Sequence, residues 1–322
     1  MARSEYFPIQ CKSALNRVQG MPFKWSLNPY VGCVHACQYC YARAYYEIAE
    51  HGNGGSDFES RILVKSNFAE VLREELRRPS WRGELTALGT STDPYQPAEG
   101  RFRITRAVVE TLRDFVNPMS LVTKSPLVYR DIDVLAEIAK SATVRVFFTI
   151  TTVDTSLWRI LEPGTANPLK RLGVMERLNQ AGVPAGVILA PVLPGITDSS
   201  ASIVAVAREA RRHGAAFFTY TPLRLGATVR EHYLGFIARQ FPQLSARYER
   251  AYSRIHAPLE YQEQLRLRVH RIQAEYGLTT EAMRGRSGEA STSDVNRRPQ
   301  LTLPLWHDSG TLAQPVSVGL PA

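Results

Sequence analysis

The chain is short of cysteine. Four occur in 322 residues, and none follows Cys40. So few thiols exclude the disulfide framework of a small secreted domain, and a reducing cytoplasm is the expected compartment. Long apolar runs are missing too. No stretch approaches the roughly 20 apolar residues that span a bilayer, so no membrane association is expected. The N-terminus, MARSEYFPIQCK, has no apolar core, so no signal peptide is expected. No internal repeat at solenoid spacing is found. Acidic residues are outnumbered: 30 Asp and Glu stand against 39 Lys and Arg, for a net charge of +9. That excess suits a polyanionic partner, nucleic acid first, although a generally basic surface has the same composition.

What is present reads as an α/β protein. Apolar residues make up 44 % of the chain and charged residues 21 %, as in ordinary globular proteins. Residues 1–23 are expected to form an irregular N-terminal arm, broken by Pro8, Gly20 and Pro22. Strands are then expected at FKWSLN, ELTALGT, MSLVTK, VRVFFTI, PAGVILAPV and AAFFTYTPL, alternating with helical stretches. Two helix-end signals stand out: Asp131 as an N-cap and Gly182 as a C-terminal glycine. Six strands alternating with helices predict a parallel sheet closed into a partial (β/α)6 barrel of the TIM type over residues 24–226. Chemistry in such a fold gathers at the C-terminal strand ends. Those ends carry the cysteines, TSTDPYQP, TKSP, TTVD, APVLPG and YTPLRL. Residues 227–277 predict arginine-rich helices, and residues 278–322 a flexible, disordered tail.

Three of the four cysteines lie in GCVHACQYCYAR, with Cys33, Cys37 and Cys40 spaced C-x3-C-x2-C. Thiolates select zinc, copper(I) or iron–sulfur clusters. A structural zinc site needs four protein ligands, and His35 or the upstream Cys11 is the available fourth. A non-enzymatic, zinc-binding nucleic-acid module is therefore one reading. A [4Fe–4S] cluster on three cysteines is the other, and it leaves one iron open. An open iron can take an amine and a carboxylate, which the methionine end of S-adenosylmethionine supplies. One electron then breaks a carbon–sulfur bond and yields a 5′-deoxyadenosyl radical, chemistry that only a cofactor can carry. A cluster that merely passes electrons is a third reading, but it leaves the polar barrel rim without a purpose.

The C-x3-C-x2-C loop after a first strand, with Tyr39 before the third cysteine and Tyr41 after it, resembles the radical S-adenosylmethionine superfamily. LNPYVGCVHACQYCYAR, GTSTDPYQPAE, TKSPLVYRDIDVL, ITTVD, LEPGTANPLKRL and APVLPGITD, over roughly residues 25–200, resemble its spore photoproduct lyase-like branch. The resemblance implies cluster ligation by Cys33, Cys37 and Cys40, with the Tyr39 backbone facing the adenine. It implies that Thr90, Ser91, Thr92 and Asp93 stand where many members hold the cofactor's amino group. Lys124 is the matching partner for its carboxylate, and Thr149 and Thr151 for the ribose. Gly186 and Ile188 belong to the fifth-strand pattern beside the adenine. Glu162 and Arg171 flank a loop of this branch, as a structural pair or as a substrate contact. An electron donor such as a ferredoxin or flavodoxin is implied as a partner. One departure matters: the branch's best-known reaction uses a later cysteine as hydrogen donor, and this chain has none after Cys40. Repair of that photoproduct is therefore not predicted. Tyr41, Tyr95 and Tyr220 are the alternative donors, and the substrate is left unassigned.

Two further features bear on partners. The basic stretches Arg208–Gly214 and Arg266–Arg271 can touch phosphates or form solvated helix faces. In the tail, QLTLPL (Gln300–Leu305) is similar to peptides that bind the bacterial sliding clamp.

Overall fold

The computed structural model describes residues 4–19, 21–48 and 51–278. Gln300–Leu305 lies outside them.

Ten strands occur in chain order among the described residues. They are β1 (Glu5–Ile9), β2 (Asn16–Arg17), β3 (Trp25–Leu27), β4 (Tyr30–Val31), β5 (Arg61–Lys65), β6 (Thr86–Leu88), β7 (Met119–Thr123), β8 (Val144–Thr149), β9 (Ala185–Val192) and β10 (Phe218–Pro222). Six of them, β3 and β6 to β10, are the six expected strands. They pair in parallel in the order β10-β9-β8-β7-β6-β3, and β2 adds antiparallel to the β3 edge. The curled sheet with helices outside is a partial TIM-type barrel.

Alternation along β8 shows why this sequence makes a barrel wall. Val144, Val146 and Phe148 point outward into the main core, where helices such as Ile132–Ser141 and Pro168–Gln180 cover them. Arg145, Phe147 and Thr149 point inward and line a cavity. Both faces are therefore covered, as a central parallel strand requires. Helix Pro168–Gln180 is capped by the Asn167 side chain and closes on Gly182, whose φ of 80° suits glycine.

Three readings need correction. The arm is not irregular throughout: β1 pairs in parallel with β5, and β4 completes a second three-stranded sheet. Pro8 is tolerated because β1 is an edge strand, with no further neighbour to receive the missing N–H. β5 itself had no place in the expected strand list. Asp131 occupies the cap position of helix Ile132–Ser141 without bonding its backbone. Its carboxylate instead accepts from Tyr95 Oη and from Arg130 and Arg106.

The C-terminal helices Ala227–Gln240, Ser245–Ala251 and Leu259–Glu275 have two jobs. Tyr233, Phe236, Tyr248 and Tyr252 form a second apolar cluster that packs around Cys37, Tyr39 and Leu161. Helix Leu259–Glu275 packs on helix Ser200–Arg212 and covers the free edge of β10, where Gln273 Nε2 donates to the Phe218 carbonyl at 2.8 Å. Among the described residues no helix is long and apolar enough to cross a membrane.

Candidate active site

Cys33, Cys37 and Cys40 follow β3 and β4 in a loop that opens on the inside of the barrel. Gly32 has φ of 82°, and a Cβ there would meet the Phe58 and Arg61 carbonyls at 3.0 Å, so only glycine brings the chain in at this angle. Arg43, fully buried, holds the far side of the loop. It donates to the Cys37 carbonyl at 3.0 Å and to the Gly54 and Gly55 carbonyls at 3.0 and 3.1 Å, and it pairs with Glu59. The segment after helix Thr155–Leu161 docks on the outer side. Gln38 N donates to the Leu161 carbonyl and Gly164 N to the His35 carbonyl, both at 3.1 Å.

All three cysteines line a cavity of ≈ 300 Å³ inside the barrel. Tyr39, Thr90, Thr92 and Asp93 line it as well, as do Lys124, Thr149 and Ile188. Thr151 and Gly186 do not. The space beside Gly186 is filled by Phe217, whose ring and carbonyl lie 2.3 Å from where a Cβ would sit. Its glycine therefore serves strand packing at this point.

The turn TSTD is heavily bonded. Asp93 accepts from Thr123 Oγ1 at 2.8 Å, Lys124 N at 2.7 Å and Tyr95 N at 2.9 Å, and lies 3.3 Å from His35 Nδ1. Burial alone would raise this carboxyl; His35 and the converging donors outweigh it and hold the group below its usual value. Burial disfavours charge on His35, but the Cys33 and Asp93 charges oppose it and push His35 up to about 10. Thr92 Oγ1 donates to the Gly32 carbonyl and accepts from Gln96 Nε2. Thr90 Oγ1 accepts from Asn28 Nδ2, and the Thr90 carbonyl accepts from Tyr41 Oη. Asp93 and Thr92 thus fasten the second strand end to the cysteine loop and to the third strand end. Ser91 and Thr149 also line the site, and neither hydroxyl has a hydrogen-bond partner among the described residues.

Behind the cysteines lies a buried charge cluster that sequence reasoning left undecided. Glu162 and Arg171 form a 2.7 Å ion pair, both essentially without solvent contact. Tyr39 Oη and Thr151 Oγ1 donate to Glu162 Oε1, and Thr151 Oγ1 also bonds the Ala190 carbonyl. Lys124 Nζ lies 3.3 Å from the same carboxylate and 5.6 Å from the Tyr39 ring centre. Burial would raise the Glu162 carboxyl; the Arg171 and Lys124 charges and the Tyr39 and Arg171 bonds overcome it and hold it well below the usual carboxylate range. The pair is structural toward Arg171 and reaches the cavity only through Lys124 and Tyr39. Of the tyrosines weighed as hydrogen donors, Tyr41 lines the cavity. Tyr95 is buried against Asp131, and Tyr220 lies against His270.

The donor set fits a cluster and a zwitterionic cofactor. Three soft thiols line open space, with Cys37 Sγ 4.0 Å from the His35 carbonyl. Burial pushes the Cys37 and Cys40 thiols up, so thiolates persist there only beside positive charge such as iron. Lys124 Nζ is buried and too poorly aligned on Glu162 to hydrogen-bond it, so it can take a carboxylate from the cavity side. Among the described residues no three Cys, His, Asp or Glu side chains converge tightly enough for a single metal ion. A zinc site needs that convergence; a cluster offers each cysteine its own iron.

Asn28, Gln96 and Arg43 were missed as site residues. The signal available for them was their place inside the quoted motifs LNPY, PYQPAE and CYAR.

Comparison with known proteins agrees with this geometry. Residues 27–207 match the model of the radical SAM superfamily. An uncharacterised protein of Mycobacterium tuberculosis is 40 % identical over 277 residues, covering 85 % of this chain and 81 % of that protein. An uncharacterised protein of Methanocaldococcus jannaschii is 27 % identical over 197 residues, 61 % of this chain and 71 % of its own length. Among solved structures, spore photoproduct lyase complexed with a dinucleoside spore photoproduct shares the fold. The TM-score is 0.61 at 15 % identity, over 84 % of this chain and 79 % of that one. A variant of the same enzyme with bound S-adenosylmethionine and dinucleoside gives 0.60 at 15 % identity, over 84 % and 78 %. A family model that spans the barrel from β3 into the helix after β9, on a chain with this cysteine loop, makes the protein a radical S-adenosylmethionine enzyme, a member of that superfamily.

Proposed function

We propose that Cys33, Cys37 and Cys40 carry a [4Fe–4S] cluster, that S-adenosylmethionine binds beside it, and that the substrate is a nucleic acid. When bound, cluster and cofactor supply a 5′-deoxyadenosyl radical after one-electron reduction by a partner such as a ferredoxin or flavodoxin. The chain's own residues bind and orient. Lys124 takes the cofactor carboxylate by a charge-assisted bond. Ser91 and the TSTD turn receive its ammonium, Thr149 the ribose, and Tyr39 and Ile188 flank the adenine. Thr151 acts through Tyr39, and Gly186 through the packing of β9. Asp93 positions His35 and the Lys124 backbone. Of the tyrosines that could donate hydrogen, Tyr41 is the candidate because it lines the cavity.

The observation that carries the reading is that the three cysteines line the same cavity as Lys124, Ser91 and Thr149. The nucleic-acid part is supported by the +9 net charge and by a fold shared with an enzyme that binds a dinucleoside. The free cysteines suit a reducing cytoplasm. Anaerobic purification, iron and sulfide analysis, and chromatography for 5′-deoxyadenosine after adding dithionite and S-adenosylmethionine test the proposal. About four irons per chain, as a cubane holds, with product that disappears in Cys37→Ala, is the expected result. Zinc in place of iron, without product, would overturn it. Contact with a sliding clamp through Gln300–Leu305 is a separate proposal. A fluorescent peptide of residues 296–308 should bind clamp saturably, and no saturation ends the idea.

A further inference from the structure

The cavity does not stop at the cofactor end. Along β8 its wall runs from Thr149 through Phe147 to Arg145, about 13 Å at the usual strand rise. Arg145 sits opposite Ser120 of β7, and Met21, Phe23, Leu85 and Met119 line the same end. Apolar side chains share this end with Ser120 and Thr143, and Phe147 is braced by Phe217 at 4.6 Å between ring centres.

The other histidine, acidic and basic residues of the cavity each have a charged neighbour or another interaction. His35 pairs with Asp93, Lys124 with Glu162, and Arg224 has interactions of its own. Arg145 is half-buried and makes no hydrogen bond or ion pair among the described residues. Burial lowers its guanidinium, with no nearby anion to oppose the shift. Its nitrogens keep contact with solvent in the cavity, so they are free to receive a ligand. A guanidinium fork offers two parallel donors to a phosphate or carboxylate.

We propose that the lower half of the barrel cavity is a binding site for the oxyanion of an otherwise apolar or aromatic ligand group, anchored by Arg145. It deepens the nucleic-acid reading and rests on it: a single extruded nucleotide carries both an aromatic base and a phosphate. A phosphate ester is therefore the first class to test.

The test is calorimetric titration of the oxygen-free holoenzyme with phenyl phosphate, benzoate and neutral benzyl alcohol. Phenyl phosphate should bind saturably at one per chain. Arg145→Gln should weaken it at least tenfold, Arg145→Lys should weaken it less, and benzyl alcohol should respond to neither change. Benzoate binding with the same dependence on Arg145 upholds the oxyanion site and assigns it to carboxylates. No saturable binding of either anion, or an affinity unchanged in Arg145→Gln, overturns the proposal. Near-ultraviolet circular dichroism establishes that each variant is folded, and Arg145→Lys carries the test if the glutamine variant is not. Formation of 5′-deoxyadenosine by the unsubstituted protein is scored separately, so the anion site and the radical reading can fail independently.

Discussion

Replacing Glu162 by glutamine removes one negative charge and keeps the shape. In the folded protein that charge faces Arg171 at 2.7 Å and Lys124 at 3.3 Å, and it accepts from Tyr39 and Thr151. The variant leaves two buried cations facing an amide. Breaking a buried pair in this way costs about 3–5 kcal/mol. For a chain of this size, at about 2 °C per kcal/mol, the melting temperature should fall by about 6–10 °C. The pH dependence gives a second, independent reading. The Glu162 carboxyl is held well below its usual range, so its contribution is complete above the unfolded value of about 4.3. It is lost as the pH falls from there toward the folded value. The unsubstituted protein should therefore lose stability more steeply than Glu162→Gln below about pH 4.3, and the two curves should run parallel above it. Differential scanning calorimetry across pH 3–7 measures both. A melting temperature within about 1 °C of the parent, or identical acid limbs, would refute the view that this carboxylate is the counter-ion of the site.

Gly164 and Tyr41 give two further predictions. A Cβ on Gly164 would sit 2.2 Å from the Val34 carbonyl and 3.0 Å from His35, so Gly164→Ala must push the cysteine loop by about 1 Å. A misplacement of that size costs on the order of 100-fold in rate, to be read as 5′-deoxyadenosine formed per bound cluster. Tyr41→Phe deletes the donor to the Thr90 carbonyl; urea unfolding should show a loss of about 1 kcal/mol, with iron content unchanged.

The barrel was legible in the sequence because its strands are central. VRVFFTI and PAGVILAPV are apolar on both faces, and only a covered parallel strand tolerates that. The cysteine spacing was legible because it lies within eight consecutive residues, Cys33–Cys40. The second sheet was hidden: β1 carries Pro8, and its partner residues in β5 lie 56 positions further along, a pairing that no local pattern reveals. The charge cluster was half legible. Glu162 and Arg171 share one motif and were read as a structural pair or a substrate contact, but Lys124 comes from a distant segment and no local pattern shows that it joins them. Asp93 was half legible too: its place in the motif pointed to the cofactor, but no local pattern reveals that its oxygens also accept from Thr123, Lys124 and Tyr95 and lie beside His35. Arg145 looked like one more residue of a strand, since sequence cannot say which inward-facing side chain lacks a neighbour.

The loop from Leu161 to Gly164 has a consequence for how the proposed cluster would be assembled. It closes the outside of the cysteine loop through Gln38 and His35, while the C-terminal tyrosines pack behind Cys37. The three cysteines line the cavity on the other side. A cluster held there, as proposed, would have to be loaded from the same cavity that admits the cofactor, so loading of the folded chain would have to precede cofactor binding.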